Sequence, residues 1–168
     1  MTFIVRTEQP VDADQIVEVT RLAFLTASHT SHTEQFIVDA LRRLGHLTLS
    51  LVATEAGTLI GHIAFSPVSI SSGEGGWYGI GPLSVLPEFQ RRGVGRHLIT
   101  EGMERLREQG AKGCVLVGDP AYYSQFGFAT CPELVYSGIP PEYVLVKSFS
   151  ENLPKGEVAF SKAFEAIA

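Results

Sequence analysis

A glycine-containing turn with three arginines is the part of this sequence best suited to chemistry: Gln90-Arg91-Arg92-Gly93-Val94-Gly95-Arg96. It follows an apolar run that predicts a strand, and it opens an amphipathic segment that predicts a helix. Exposed backbone N–H groups and the positive end of the helix dipole bind anions at such a point. The two glycines let a ligand approach the backbone without a Cβ in the way, and guanidinium groups neutralise phosphate oxygens. The sequence therefore predicts a phosphate-binding loop.

Two common nucleotide sites do not fit this loop. The G-x-x-x-x-G-K-[ST] pattern of kinases and ATPases is absent. A dinucleotide fold requires a third glycine where this chain has Leu98, and it requires a shorter connection than the seven residues between Val85 and Gly93. Asp119 does lie near the end of the following strand, as a ribose ligand would. The upstream strands, however, predict an antiparallel meander rather than a doubly wound sheet.

Composition and charge narrow the class of protein. The chain has 168 residues, of which 45% are apolar and 18% charged, and this predicts one globular domain over residues 1–168. A net charge of −5 argues against nucleic-acid binding, while the local basic cluster suits a small anion. Cys114 and Cys131 have no metal-site spacing, so we predict two buried thiols and no metal. The strand-sized apolar runs and the lack of a signal segment predict a cytoplasmic protein outside the membrane.

Hydrophobic periodicity predicts two helices after a first strand, then a meander, then a β-α-β unit. The predicted strands are 3–7, 47–54, 59–70, 77–85, 114–117, 143–146 and 157–160. The first helix carries apolar residues from Ile16 to Leu25, and the second opens at a capping box from Ser31 to Glu34. A third helix runs from the glycine loop to about residue 109, and a helical turn covers about 121–125. The fold class is therefore α/β with a mixed sheet.

The glycine loop resembles the [QR]-x-x-G-x-[GA] signature of the GNAT N-acetyltransferase superfamily. The resemblance extends upstream to Gly81-Pro82-Leu83-Ser84-Val85 and downstream to Tyr123-Ser124-Gln125-Phe126-Gly127-Phe128, which is similar to a Y-x-x-x-G-F ending. About the middle two-thirds of the chain carries the likeness. Within the superfamily, the pattern is similar to the YhbS-like branch of small bacterial members.

This resemblance implies a fold, a cofactor and a set of residues. It implies a sheet with an antiparallel N-terminal meander, followed by a β-α-β unit whose two strands splay apart to admit the pantetheine of acetyl-coenzyme A. Strand residues Leu83, Ser84 and Val85 would line the cofactor, with backbone groups of the first and third facing the pantetheine. Residues Gln90 to Arg96 would hold the pyrophosphate. Many members have an asparagine after the second strand, where this chain has Asp119-Pro120, so that contact to pantetheine is left open.

Transfer of an acetyl group to an amine requires a base and an acid. An alkyl amine has a pKa near 10.4 and must lose a proton before it attacks. The departing thiolate, with a pKa of about 8.5, requires a proton donor, and a phenol with a pKa of about 10 is a reasonable match. Tyr123 is the candidate acid, implied by its position in the resemblance. Aromatic packing on Phe126 and Phe128 is the alternative explanation of Tyr123.

Several residues remain candidates for the base. Glu34 on the second helix is one, although its capping-box role with Ser31 explains it equally. His29 and His32 lie in the polar loop before that helix, where they would meet substrate or only solvent. His62 is in the middle of a strand, which is typical of a hydrogen-bonded core histidine.

The acceptor is left open as well. His97 is expected to face outward beside Arg96, near the phosphates. Trp77 and Tyr78 would line an acceptor pocket or belong to the core. The acceptor would be a primary amine of a small molecule or a peptide, attacking acetyl-coenzyme A directly in a ternary complex. A non-catalytic acyl-coenzyme A sensor and an unrelated nucleotide-binding enzyme are the alternatives, and the protein would be a monomer or a homodimer.

Overall fold

The computed structural model describes residues 2–28 and 30–168. Its strands are β1 (Phe3–Thr7), β2 (Leu49–Glu55), β3 (Thr58–Pro67), β4 (Ser69–Ile70), β5 (Trp77–Val85), β6 (Gly113–Val117), β7 (Ala129–Thr130), β8 (Leu134–Val135), β9 (Val144–Ser148) and β10 (Gly156–Ala159). Its α-helices are α1 (Ala13–Leu25), α2 (Glu34–Arg43), α3 (Val94–Glu108) and α4 (Pro120–Tyr123). These elements form two compact units. The first comprises residues up to 66, 81–102 and 161–168, and the second comprises 67–80 and 103–160.

The sheet of the first unit is an antiparallel meander, as the short connections predict. Strand β1 pairs with β2 and β2 pairs with β3, both antiparallel, and the order continues to β5. Two residues, Ala56 and Gly57, join β2 to β3, and their φ angles of 50° and 81° are both in the left-handed region. Such a turn matches the twist of the strands it joins. The β2–β3 hairpin is therefore tight.

Apolar stripes on the helices make the core of the first unit. One face of α1 packs with α2 and the sheet through a cluster of buried side chains, namely Ile16, Val19, Val38, Val52 and Leu59. The first turns of α3 lie close to β3. A Cβ on Gly61 would stand 2.9 Å from Val94 and 3.2 Å from Leu98. The glycine in β3 thus permits a close approach between helix and strand.

The second unit contains the parallel strand pair. Strands β5 and β6 pair in parallel at three residue pairs, from Trp77–Gly113 to Gly79–Val115, while β5 itself continues to Val85. Strand β9 pairs antiparallel with β6 and with β7. A separate small sheet has the order β4-β10-β8. The predicted mixed sheet, with a meander followed by β-α-β, is confirmed.

Most predicted elements have nearly the predicted bounds, and the exceptions have local causes. Strands β1 and β5 match residue for residue, and α3 ends one residue earlier than predicted. The single strand predicted for 59–70 is observed as two strands, β3 and β4, with a break between Pro67 and Ser69. Strands β7 and β8 were not predicted, since two residues are too few for a periodic pattern. Along the described chain, no helix combines the length and apolar character that crossing a bilayer requires.

Candidate active site

A short, hydrogen-bonded turn connects β5 to the glycine loop. Residues Pro87–Phe89 form a single 3₁₀ turn, whose last N–H, that of Phe89, bonds the Leu86 carbonyl at 2.8 Å. The Gln90 side chain donates to the carbonyl of Val85 at 3.1 Å. Gln90 therefore ties the start of the loop to the end of the strand. This contact gives the first residue of the signature a structural role within the chain.

Backbone donors gather where α3 begins. Arg91 and Gly93 have φ angles of 65° and 84°, in the left-handed region. The carbonyl of Gly93 takes the N–H of His97 at 3.0 Å, so the N–H groups of residues 93–96 precede the first bond of the helix ladder. Alternation of left- and right-handed residues turns successive N–H groups toward one side and makes a concave anion site. The predicted phosphate loop thus has suitable backbone geometry.

The three loop arginines have different environments. Arg91 is exposed, and Arg96 is exposed on the first turn of α3. Arg92 is exposed as well, and it forms an ion pair with Glu55, at 2.8 Å between Nη2 and Oε1, while its guanidinium lies 5.1 Å from the centre of the Phe89 ring. Sequence reasoning missed Glu55 because 37 residues separate it from Arg92. No local pattern signals that pair.

The strand residues expected to line the cofactor alternate in burial. Leu83 and Val85 are half-buried, whereas Ser84 is buried at 1% exposure. The Ser84 Oγ has no hydrogen-bond partner among the described atoms. On α3, Val94 is buried and Gly95 is half-buried, so the helix packs tightly immediately after the loop. Backbone groups, more than side chains, are what this part of β5 offers to a ligand.

Tyr123 belongs to the second unit and is held by its neighbours. Asp119 is the N-cap of helix α4, and its Oδ1 accepts the Ala121 N–H at 2.9 Å. The Tyr123 ring meets Tyr122 edge-on at 4.9 Å and Phe128 at 6.1 Å between ring centres. A Cβ on Gly118 would stand 2.5 Å from the ring. Burial, helped by Tyr122 and Asp119, raises the pKa of Tyr123 to about 12.

The Asp119-Pro120 pair acts as a helix start. Its aspartate is an N-cap and its proline occupies the first helical position, where a missing N–H is harmless. The Asp119 carbonyl also accepts the N–H of Tyr123 at 3.1 Å. Asp119 therefore helps to orient the helix that carries the tyrosine.

Glu34 is engaged with the loop that precedes α2. Both of its carboxylate oxygens accept the Thr30 hydroxyl, at 2.8 and 2.7 Å, and Oε2 accepts the Ser31 N–H at 3.2 Å. The reciprocal half of the predicted capping box is missing. Thr33 is the N-cap, and the Ser31 hydroxyl pairs with Thr33 at 2.5 Å. The prediction of Ser31 as the cap is therefore wrong, because the helix begins two residues later.

The histidines differ in what surrounds them. His29 lies outside the described residues, and His32 is exposed with a φ of 60°. His62 is fully buried, and its Nε2 lies 2.7 Å from the Ser50 Oγ. His97 was expected to face outward, but its ring packs edge-on against Phe3 at 5.3 Å. This contact explains why His97 is only half-exposed.

The two aromatic residues at the start of β5, Trp77 and Tyr78, differ in burial. Trp77 is 1% exposed and belongs to the core of the second unit. Tyr78 is half-buried. The core interpretation is therefore confirmed for Trp77. A role for Tyr78 in acceptor binding stays a prediction.

Comparison with known proteins identifies the family. Residues 14–128 match the Acetyltransferase (GNAT) family, a stretch that includes β5, the loop, α3 and Tyr123. The chain belongs to the GNAT acetyltransferase family. The family and the fold class predicted from the sequence are confirmed.

Three comparisons give the degree of likeness to other family members. The chain is 42% identical over 127 residues, 75% of its length and 73% of the relative's, to the uncharacterized N-acetyltransferase YhbS of Escherichia coli. The crystal structure of YhbS in complex with CoA superposes with a TM-score of 0.89, at 34% identity over 100% of this chain and 94% of that one. A GNAT family acetyltransferase from Brucella melitensis, in complex with acetyl-CoA, matches with a TM-score of 0.86 and 47% identity over 96% and 97% of the two chains. The predicted likeness to YhbS is confirmed.

Proposed function

We propose that this GNAT acetyltransferase moves an acetyl group from acetyl-CoA to a primary amine by direct attack within a ternary complex. The observation that carries the proposal is the cluster of N–H groups at the start of α3, which precede the first bond of the helix ladder, beside left-handed Arg91 and Gly93. Similar proteins crystallised with acetyl-CoA and CoA support the choice of cofactor. The match to the family includes residues of both units, which supports a single catalytic domain.

The loop supplies what a pyrophosphate requires. The N–H groups of residues 93–96 would hold the phosphate oxygens, and the exposed guanidinium groups of Arg91 and Arg96 would neutralise them. A Cβ on Gly93 would have room, since among the described residues beyond its chain neighbours only His97 comes within 4 Å, at 3.9 Å. The left-handed backbone at this position is therefore what favours glycine. Leu83, Ser84 and Val85 would receive the pantetheine along β5, and the thioester supplies the activated acetyl group.

Tyr123 is proposed to assist the leaving thiolate. With a pKa of about 12 the phenol is protonated at every physiological pH. Complete proton transfer to a thiolate of pKa about 8.5 would be uphill by roughly 5 kcal/mol. A hydrogen bond from the phenol to the sulfur, strengthening as negative charge develops, avoids that cost. Tyr123 is thus better described as a hydrogen-bond donor to the thiolate than as the matched acid expected from an unshifted phenol.

Glu34 remains the proposed base for the acceptor amine. It is half-buried beside the loop at residues 26–33, and it holds Thr30 and the backbone of Ser31 through its carboxylate. A carboxylate that already accepts two donors is fixed in place, which favours a defined approach for an ammonium group. The acceptor would then be a primary amine that is cationic before it reacts.

The test is a set of parallel thermal shifts followed by turnover. Ligand at about 100 times its dissociation constant stabilises a protein by roughly 2.7 kcal/mol. We expect acetyl-CoA and CoA to raise the melting temperature, with NAD and ATP giving no comparable shift. Release of free thiol on addition of an amine panel would then establish transfer. A shift with NAD or ATP alone contradicts the cofactor, and binding without thiol release with any amine favours an acyl-CoA sensor.

A further inference from the structure

We infer that Glu55 is a positioning residue for the phosphate loop: it holds Arg92 to the side, so that backbone N–H groups, rather than the Arg92 guanidinium, bind the pyrophosphate. This inference rests on the proposed binding of acetyl-CoA. It separates Arg92 from Arg91 and Arg96, with which sequence reasoning grouped it. It also gives the β2–β3 hairpin a role in the cofactor site.

The backbone of Glu55 is fixed on both sides. In the sheet, Glu55 stands opposite Phe3 of β1 and opposite Thr58 across the tight hairpin turn. Its side chain is only 20% exposed, and it accepts a hydrogen bond from the Thr2 hydroxyl as well as from Arg92. These two donors, Thr2 first, keep the pKa of Glu55 below its usual value. The carboxylate is therefore a stationary negative charge.

Arg92 is held at two points. Its Nη2 lies 2.8 Å from Glu55 Oε1 and 3.4 Å from the Thr2 hydroxyl, while its guanidinium carbon lies 5.1 Å from the Phe89 ring centre. Phe89 ends the 3₁₀ turn that leads into the loop. The guanidinium thus bridges the hairpin and the turn. A guanidinium already paired with a carboxylate offers a phosphate little net charge.

The backbone of the glycine loop is in a conformation that needs support from surrounding contacts. We call the Glu55–Arg92 contact that supplies this support the brace. Arg91 is not a glycine, yet its φ of 65° is in the left-handed region, next to Gly93 at 84°. A left-handed residue with a side chain costs free energy and persists where surrounding contacts determine it. The neighbouring Arg92 forms an ion pair with Glu55 of β2, and its contacts hold the backbone between the two left-handed residues. Glu55 therefore stabilises the conformation that gathers the N–H groups.

A double-mutant cycle tests the assignment. We expect Glu55→Gln and Arg92→Gln each to weaken CoA binding about threefold to fivefold by calorimetry, and the double variant to be no weaker than either. The KM for acetyl-CoA should rise with kcat unchanged, and Arg92→Lys should restore part of the affinity. If Arg92 contacts phosphate directly, Glu55→Gln frees it and tightens CoA binding instead. That result, or additive losses in the double variant, overturns the inference.

A matched control removes the effect of net charge alone. Glu18 on α1 also pairs with an arginine, Arg21, at 2.6 Å, and both side chains are exposed. Glu18→Gln changes the charge by the same amount as Glu55→Gln and should leave CoA affinity within about 1.5-fold. An equal loss in both variants overturns a positioning role. Melting temperatures of the variants identify any general loss of folding.

A ligand-free readout separates this inference from the proposed function. Hydrogen exchange of the hydrogen-bonded amides that flank the loop, those of Phe89, Gln90 and His97, should be faster in Glu55→Gln than in the unmodified protein, and unchanged in Glu18→Gln. If CoA fails to bind the unmodified protein, the proposed function fails, yet faster exchange would still support the brace. Equal exchange rates in all three proteins overturn it.

Discussion

The Nε2 of buried His62 lies 2.7 Å from the Ser50 Oγ, and the same hydroxyl donates to the carboxylate of Glu8. Glu8 in turn pairs with Arg42 at 3.0 Å. A polar chain therefore runs from the interior of the first unit to a cavity of about 510 Å³ lined in part by Glu8 and Arg42. At the inner end, the Nδ1 of His62 has no partner among the described atoms.

The stability of the protein is expected to fall in mild acid because of His62. Burial, and then the charge of Arg42, lower its pKa from 6.5 to about 3. Between about pH 6.5 and pH 3, the unfolded state therefore binds a proton at His62 that the folded state does not bind. The contribution of neutral His62 to the free energy of unfolding is fully present above about pH 6.5. It decreases as the pH falls toward 3, by at most about 1.4 kcal/mol per pH unit. His62→Gln should show a shallower dependence of unfolding free energy on pH between 6.5 and 4, measured by urea denaturation.

The control for that experiment is His32→Gln, since His32 is exposed. It should retain the acid dependence of the unmodified protein. If the unfolding free energy depends on pH with the same slope in His62→Gln and in the unmodified protein, the pKa of His62 does not differ between the folded and unfolded states.

Replacing Tyr123 with Phe is expected to reduce turnover without reducing cofactor affinity. The variant keeps the ring contacts with Tyr122 and Phe128 but removes the hydroxyl that would hydrogen-bond the thiolate, so kcat should fall by about 10²-fold at constant KM for acetyl-CoA. Because the pKa of Tyr123 is raised to about 12, kcat should show no decline from its ionisation up to about pH 10. The neighbouring Tyr122→Phe, altered at a more exposed ring, should keep its rate. Unchanged turnover in Tyr123→Phe would remove the phenol from the mechanism.

Replacing Gly93 with Asp is expected to abolish CoA binding while leaving the fold intact. No atom closer than 3.9 Å obstructs a Cβ there, so the effect would come from a negative charge beside the phosphate site and from the φ of 84°. At about 4 Å, like charges repel enough to weaken binding by about 100-fold or more. Gly93→Asn, which tolerates the left-handed region and adds no charge, should lose much less affinity in calorimetry. Similar losses for both would point to backbone strain rather than charge.

Replacing Gly102 with Ala is expected to destabilise the protein, although alanine is the better helix former. The helix would gain about 1 kcal/mol. The new methyl group, however, would stand 2.2 Å from Phe65 Cε1, and overpacking of a core typically costs about 1–3 kcal/mol. We expect a net loss of up to about 2 kcal/mol in urea denaturation. Combining it with Phe65→Leu should cost less than the sum of the two single changes, and strict additivity would contradict the clash.

Periodic segments were predictable from the sequence because their burial follows their local pattern. The four-residue repeat of Val94, Leu98, Gly102 and Leu106 predicted the buried face of α3, and all four are buried. The strand predicted at 77–85 likewise has the bounds of β5. The position of the glycine loop between β5 and α3 was predictable for the same reason, since its glycines and the start of the helix are neighbours in the chain. Phosphate binding by this loop stays a prediction.

Features that depend on distant residues were not predictable. The pairing of Arg92 with Glu55 and the packing of His97 on Phe3 bring together residues far apart in the sequence. The raised pKa of Tyr123 follows from burial, which a single aromatic residue does not reveal. Ser31 resembled a cap in its spacing, yet Thr33 holds that position because the loop bends further before the helix begins.

The Gly118 contact has a consequence for conformational entropy. The Tyr123 ring lies where any side chain on residue 118 would stand, and two aromatic rings flank it. The rotamer of the Tyr123 side chain is therefore fixed when the protein folds, before any ligand binds. Little rotational freedom would remain to be lost on binding, so the phenol would meet successive ligands in the same orientation.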